Sequence, residues 1–321
     1  MRPTPRPHLW VVGAGGLLGS SVVRAAGAER CHLTVFRSPP IHWATPQAAT
    51  DLSAAARRFR QEVGDGPWAV AWCAGAGIIG TDREQLTAET HMLERLLPLL
   101  PDAAAGTVFL SSSAGGVYGG SVAQPITEAT PTVAISDYGS NKLRQEALVG
   151  AWAREAGGRA VIGRISNLYG PGQSLQKPQG LISHVARAAI DRQPVGIFVS
   201  LDTIRDYLFA DDAASQVIDL IGFAGELEPG DTHVKIVASM RSISIGGILA
   251  EVRRVVGRNP SVVMARSPHA SAQGSVLNFR STVPPRLDRH NRTTLPAGID
   301  SVAADLRRRA ASGHLHSLAP G

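Results

Sequence analysis

With 321 residues, of which 44% are hydrophobic and 18% charged, the chain is long enough for one large α/β domain or two smaller ones. The formal charge is +6, but aromatics are only 5% and do not interleave with Arg57-Arg58, Arg253-Arg254 or Arg307-Arg308-Arg309; these read as solvated helix faces, which argues against a nucleic-acid surface. Two cysteines, no Cys/His cluster with ligand spacing, and no apolar run of roughly 18 residues argue against a metal centre, a disulfide framework and a membrane span.

The basic Met1–Arg6, the apolar run after it and Ala26-Gly27-Ala28 mimic a secretory signal. The glycine spacing inside that run reads better as a strand and a phosphate-binding turn, and places the protein in the cytoplasm. Leu9–Val12 is the strand. Gly13, Gly16 and Gly19 follow as G-x-x-G-x-x-G, with Leu17 and Leu18 between the last two, and a helix runs on through Ala26. Glycine lets the backbone approach a pyrophosphate, and the helix N-terminus supplies N–H groups and dipole. His32–Phe36 is the second strand, ending Val35-Phe36-Arg37-Ser38. An NAD site usually has an acid there for the ribose hydroxyls. Arg37 suits a 2′-phosphate instead, and Ser38 adds a donor, which favours NADP(H) over NAD(H). Asp51-Leu52 stand at the right distance to lie beside the adenine.

Ala54–Val63 reads as a helix, and Trp68–Cys73 as a strand running into Ala74-Gly75-Ala76-Gly77. Cys31 and Cys73 sit in apolar, strand-like stretches, as buried free thiols do. Glu84–Leu100 is a helix stopped by Pro101. Thr107–Leu110 is a strand ending at Ser111-Ser112-Ser113, Asp137–Glu155 a long helix, and Ala160–Ile165 the next strand. This alternation predicts an α/β fold, a Rossmann-type doubly wound parallel sheet. Beyond Tyr169 proline and glycine recur and the pattern loosens. Gly180–Ala189 and Ile243–Val256 read as helices, Asp211–Ile221 as a helix returning to the main sheet, and Ser267–Arg289 as poor in regular pattern. His314 and His316 belong to a polar tail. The expected division is a dinucleotide-binding domain over 1–170, to which 205–222 returns, and a smaller α/β substrate-binding subdomain over most of 171–321.

The chemistry is carried by two segments. Ser111 to Gly119 reads S-S-S-A-G-G-V-Y-G, and Tyr138-Gly139-Ser140-Asn141-Lys142 follows about twenty residues on. Positions i and i+4 of a helix share one face, so Tyr138 and Lys142 point the same way. A free phenol titrates near ~10, and an ammonium group nearby favours its phenolate. A serine hydroxyl at the strand end can then hold the oxygen that gains or loses a proton.

These residues resemble the extended short-chain dehydrogenase/reductase family, in its nucleotide-sugar epimerase/dehydratase branch. The resemblance rests on Gly13–Gly19, Ser112–Gly119, Tyr138–Lys142, Asn167-Leu168-Tyr169-Gly170-Pro171-Gly172-Gln173 and Arg205-Asp206-Tyr207-Leu208-Phe209-Ala210-Asp211-Asp212. It extends to Leu175–Ile182, which contains Gln179-Gly180. It implies catalysis by Ser113, with Ser112 as the close alternative, together with Tyr138 and Lys142, the lysine also binding the nicotinamide ribose. It places Ala74, Gly75, Ile165 and Leu168 near the cofactor, and Asn167, Arg205 and Gln179 at the substrate. For Arg205 the competing role is an ion pair with Asp206 or Asp211. The family commonly pairs through the helices at Glu84–Leu100 and Asp137–Glu155, which implies a homodimer.

The C-terminal segments Ser267-Pro268-His269-Ala270, Asn278-Phe279-Arg280-Ser281 and Thr294–Ile299 look most like the C-4 ketoreductases of deoxysugar biosynthesis. Epimerases of the branch usually carry an Asp where Asn278–Arg280 stands, and its 4,6-dehydratases carry acids where Ala114 and Gly115 stand. The expected function is NADPH-dependent reduction of a nucleotide-linked 4-ketohexose or 4-keto-6-deoxyhexose. The alternatives are a 4-epimerase with tightly held nucleotide and a non-catalytic NADP-binding protein.

Overall fold

A computed structural model describes residues 6–28, 31–177, 179–265, 274 and 276–312. The first half runs β1 (His8–Val12), α1 (Leu17–Ala26), β2 (Thr34–Val35), α2 (Ala48–Val63), β3 (Trp68–Trp72), α3 (Arg83–Leu96), β4 (Gly106–Ser113), the short α4 (Ala114–Val117), α5 (Asp137–Ala156) and β5 (Arg159–Ile165). The second half runs β6 (Asn167–Tyr169), α6 (Leu181–Asp191), β7 (Pro194–Ile197), β8 (Ile204–Phe209), α7 (Ala210–Phe223), β9 (Thr232–Val237), β10 (Ser242–Ser244), α8 (Ile245–Val256), β11 (Ser261–Met264) and α9 (Leu295–Ala311).

Side chains alternate across a strand, and here each face of the sheet is apolar. Trp10, Val12, Val70, Trp72, Val108, Leu110 and Ile162 point to one side, against Leu52, Phe59, Leu93 and Val149 of α2, α3 and α5. Leu9, Val11, Ala69, Ala71, Phe109 and Val161 point to the other, against Val22 of α1 and Val217 and Leu220 of α7. The parallel sheet is ordered β2-β1-β3-β4-β5-β9. The chain steps outward from β1 to β2, then crosses back to β3 on the other side of β1. That reversal opens a crevice at the strands' C-terminal ends, where open α/β sheets bind ligands.

The Rossmann-type expectation holds, with shifted boundaries. Helix α2 begins at Ala48 rather than Ala54, and β4 carries the three serines within the strand. The second half departs more. Instead of a loose region after Tyr169 there is a third apolar core, in which Ile182 and Val185 of α6 meet Ile248 and Val252 of α8 and Ile299, Val302 and Leu306 of α9. Around it lie a three-stranded sheet, β10-β8-β6, and the parallel pair β11-β7. The return to the main sheet extends past α7 to β9, which pairs in parallel with β5. Of the C-terminal segments read above, Ser267–Ala270, His314 and His316 lie outside the described residues.

Charge explains why β8 and β9 were hidden. Lys235 inside β9 is fully buried, yet its ammonium meets Asp288 at 2.8 Å and donates to Ser281 Oγ at 2.7 Å and Val283 O at 3.0 Å. Asp206 inside β8 is also fully buried; it accepts from the hydroxyls of Ser166 and Ser239 and the backbone N–H of Arg241. Buried charges persist only when paired, and their partners lie far along the chain. Arg57-Arg58 and Arg253-Arg254 are exposed, as expected, but Arg309 pairs with Asp305 at 2.7 Å and donates to Gln173 O at 3.2 Å. No helix among the described residues is long and apolar enough to cross a membrane.

Candidate active site

The turn after β1 depends on glycine. Gly13 has a φ of +88°, and a Cβ there would stand 2.6 Å from Ala74 N, while a Cβ on Gly19 would stand 2.2 Å from Gly13 O. Removing the side chains lets β1, β3 and α1 close on one another. Helix α1 then starts with Gly16 as N-cap, no side-chain cap and no acid in its first turn. A Cβ on Gly15 would meet nothing within 4 Å. Uncapped N–H groups, from Leu17 and Leu18 onward, and open space in front of them fit the pyrophosphate of a dinucleotide. Leu17 is half-buried, and Leu18 packs its side chain into the core beneath the turn.

Arg37 follows β2 with its side chain exposed and no ion-pair partner among the described residues. Ser38 donates its hydroxyl to Pro39 O at 2.9 Å. Asp51 lies in the first turn of α2 and accepts from His42, at 3.0 Å from the backbone N–H and 2.8 Å from ring Nδ1, contacts that hold its carboxyl below the usual range. Leu52 is enclosed in the core, so it presents no surface to an adenine in this conformation. Trp43 is the large exposed side chain at this edge, packed edge-on against Trp72.

After β3, Ala74 backs the glycine turn and Gly75 takes a φ of +146°. Glu89 of α3 grips this loop, its Oε1 accepting from the N–H of Ala76 at 2.5 Å and of Gly77 at 2.7 Å. Lys177, from the segment before α6, donates to Ala76 O at 3.4 Å. Cys73 is a free, half-buried thiol, pushed up to about 12 by burial, with the Lys142 ammonium acting against it. Cys31 is likewise free and half-buried.

Successive residues of β4 face opposite ways, which separates the two candidate serines. Ser112 is buried and donates to Glu146 Oε1 at 2.5 Å. Its hydroxyl is spent on a buried ion pair, since Glu146 also accepts from Arg164 Nη2 at 2.7 Å, and Arg164 Nη1 donates to Tyr118 OH at 2.6 Å. Burial raises the Tyr118 phenol, with the Arg164 guanidinium opposing it. Ser113 turns to the other side, caps α4 and accepts from the N–H of Gly116 at 3.1 Å. A Cβ on Gly116 would stand 3.0 Å from Tyr138 Cε1 and 3.3 Å from Ser113 Oγ. The tyrosine ring and the Ser113 hydroxyl therefore both border this glycine, whereas Ser112 is turned onto Glu146.

Helix α5 is brought in closely enough for that meeting by Gly139, where a Cβ would stand 2.2 Å from Gly116 O. Ser136 caps the helix, accepting from the Gly139 N–H at 3.1 Å. One turn on, Lys142 places its ammonium 5.8 Å from the Tyr138 ring centroid and 3.8 Å from where a Cβ of Gly75 would stand. Ile165 lies opposite Ser113 in the β4–β5 register, with Leu168 packed nearby.

Among the residues expected at the substrate, Asn167 is exposed and donates to Asp206 O at 2.9 Å. Arg205 is buried and donates to Ile204 O at 2.8 Å; burial lowers its guanidinium against the opposing pull of Tyr207. Of the two acids suggested for it, Asp211 pairs with Arg24 at 2.7 Å and Asp206 is engaged as described. Gln179 is exposed just before Gly180, the N-cap of α6. Asn278 accepts from Ser242 Oγ at 3.0 Å, and Leu277 lies 3.6 Å from where a Cβ of Gly115 would stand. Sequence reasoning missed Glu89, Tyr118, Gln145, Glu146 and Arg164. Glu146 was the most accessible of these, since it continues the Tyr138–Lys142 face by one more turn.

Comparison with known proteins agrees with the fold. The dTDP-4-dehydro-6-deoxyglucose reductase of Escherichia coli is 24% identical over 200 residues, covering 62% of this chain and 61% of that protein. A probable dTDP-glucose 4,6-dehydratase of Sinorhizobium fredii is 30% identical over 154 residues, 47% of this chain and 39% of that protein. The matches thus span less than two thirds of these relatives. The solved structure of RMD from Pseudomonas aeruginosa complexed with NADPH superimposes with a TM-score of 0.75 at 22% identity, covering 94% of this chain and 99% of that one. The NAD dependent epimerase/dehydratase family model matches residues 9–231, and the chain belongs to that family.

Proposed function

We propose that the protein is an NADPH-dependent reductase of a nucleotide-linked 4-keto-6-deoxyhexose. The observation that carries this reading is the placement of Ser113 Oγ and the Tyr138 ring against the same glycine, Gly116, with Lys142 one turn on, beside a glycine turn fit for a pyrophosphate. When bound, the nicotinamide supplies the hydride. Tyr138 donates a proton to the alkoxide oxygen that forms, and Ser113 hydrogen-bonds that oxygen. Lys142 holds the ribose side of the site and supplies positive charge beside Tyr138. Positioned donors of this kind act where charge develops. Asn167, Arg205 and Gln179 are the proposed contacts to the nucleotide diphosphate.

Reduction is favoured over elimination because Ala114 and Gly115 follow Ser113, so no acid or base stands directly after the hydroxyl. It is favoured over epimerisation by Arg37 where a ribose-binding acid is usual, which suits a nucleotide exchanged at each turnover. The two named relatives are a 4-keto reductase and a dehydratase, and the first supports this choice. The epimerase reading keeps the same three residues and rests on the family as a whole. Incubation with NADPH and a panel of nucleotide-linked 4-keto sugars tests the choice by NADPH loss. Consumption with one of them is expected; none, with cofactor-free interconversion of two sugars, overturns it.

Arg37 carries the cofactor preference in this reading. Arg37→Asp replaces a guanidinium that suits a 2′-phosphate with a carboxylate that repels it and suits ribose hydroxyls. The expected result is a shift in kcat/KM preference from NADPH toward NADH. Unchanged discrimination removes the 2′-phosphate role. Pairing into a homodimer through the outer faces of α3 and α5 is part of the same proposal, and sedimentation in solution checks it.

A further inference from the structure

We infer that Gln145, held by Thr90, is a positioning residue that aims the Lys142 ammonium into the site; this rests on the part given to Lys142 above. Lys142 is only 7% exposed. A buried ammonium has three donors and needs acceptors for them. Two are fixed by the fold. Lys142 Nζ donates to Ser111 O at 3.3 Å and to Gln145 Oε1 at 3.1 Å. These leave the remaining N–H for the side where Gly75 lines the crevice.

The backbone carbonyl is set by β4, but the amide of Gln145 has two ends, and only its oxygen can serve an ammonium. A relay between the helices decides which end faces Lys142. Thr90 of α3 donates its single hydroxyl proton to Asn141 Oδ1 at 2.7 Å. Its oxygen is then free to accept, and it accepts from Gln145 Nε2 at 3.2 Å. With the amide nitrogen held there, the amide oxygen faces Lys142. The relay starts at Asn141, crosses to α3 and returns to α5 within one helical turn of Lys142.

The relay is not required for packing. Thr90 is fully buried and Gln145 is 1% exposed, between helices that also bury Leu93 and Val149 in a shared apolar core. Apolar side chains of similar volume would join α3 to α5 without a polar network to satisfy. What an apolar pair cannot do is offer a directed acceptor to Lys142.

Three variants test this in the full chain: Gln145→Met, which keeps the volume and removes the acceptor; Gln145→Glu, which keeps an oxygen acceptor; and Thr90→Val, which removes the hydroxyl. Dissociation constants for NADPH and NADH are read by cofactor fluorescence, folding by thermal melting, and kcat and KM with the keto sugar that the parent reduces. Gln145→Met is expected to raise the cofactor Kd and lower kcat by about tenfold each, the scale of one charge-assisted hydrogen bond, with the sugar KM unchanged. Thr90→Val should move both in the same direction by a smaller factor. Gln145→Glu should restore most of both. Cofactor binding by a folded Gln145→Met protein that matches the parent overturns the inference. So does a folded Gln145→Glu protein as impaired as Gln145→Met. If the parent reduces no keto sugar, the reductase reading falls, while the cofactor titrations still decide the part played by Gln145.

Discussion

Replacing Tyr138 by phenylalanine is expected to remove turnover, lowering kcat by about 10²–10⁴-fold, the usual contribution of a positioned acid or base. Cofactor binding should stay close to that of the parent. The ring packs over Gly116 beside Ser113, and phenylalanine keeps that packing while losing only the hydroxyl. Lys142 keeps its two acceptors, Ser111 O and Gln145 Oε1, because neither involves Tyr138. Steady-state kinetics with the reduced cofactor and a responsive 4-keto sugar, alongside a cofactor titration, separates the two effects. Substantial residual turnover would mean that the proton comes from another group. Loss of cofactor binding together with turnover would mean that the hydroxyl serves the cofactor site as well as the proton transfer.

The second large effect concerns stability. Glu146→Ala is expected to cost about 3–5 kcal/mol, because it leaves the Arg164 guanidinium buried without its carboxylate. The pair is enclosed, with side-chain exposures of 11% for Arg164 and 8% for Glu146 at a separation of 2.7 Å. Ser112 also loses its acceptor, and Tyr118 remains as the partner of Arg164. Urea unfolding of the parent, Glu146→Ala and the double variant Glu146→Ala/Arg164→Leu tests this. The double variant should recover part of the loss, since replacing both charges removes the uncompensated guanidinium. A single variant within about 1 kcal/mol of the parent would put the pair at the value of an exposed salt bridge. Ser112 is one residue from Ser113 on β4, so a softened pair should also lower activity in the folded fraction.

Both predictions draw on residues that differed in legibility. Tyr138 and Lys142 were readable because helical periodicity alone puts i and i+4 on one face, whatever else the chain does. The glycine turn was readable because a strand, three spaced glycines and a helix form a local motif. Ser113 was readable only as one of two serines. Strand alternation says that neighbours face opposite ways, but not which of them borders Tyr138; the pairing of Ser112 with Glu146 and the place of Ser113 beside Gly116 appear only in the folded chain. Glu146, Arg164 and Tyr118 come from α5, β5 and the end of α4, and pair only once the sheet is assembled. The adenine side shows the same limit. Asp51 and Leu52 were placed by distance along the chain, but α2 starts earlier than its pattern suggests, turning Leu52 into the core and Asp51 onto His42.

By itself the sequence determined the alternating α/β order, the glycine turn after the first strand and the Tyr138–Lys142 face, because each is set by interactions within a few residues. It also determined that an arginine, and not an acid, follows the second strand. The tertiary structure decided what depends on contacts between distant segments. It folded the proline- and glycine-rich region after Tyr169 around the core formed by α6, α8 and α9. It admitted β8 and β9 to sheets despite Asp206 and Lys235, because Ser166, Ser239, Ser281 and Asp288 arrive to satisfy them. It turned Ser112 onto Glu146 and left Ser113 beside Gly116, and it brought Thr90 and Gln145 together around Lys142. Hydrophobic pattern is written along the chain, whereas a buried polar group is tolerated only where its partner lies in space, and that partner belongs to another element.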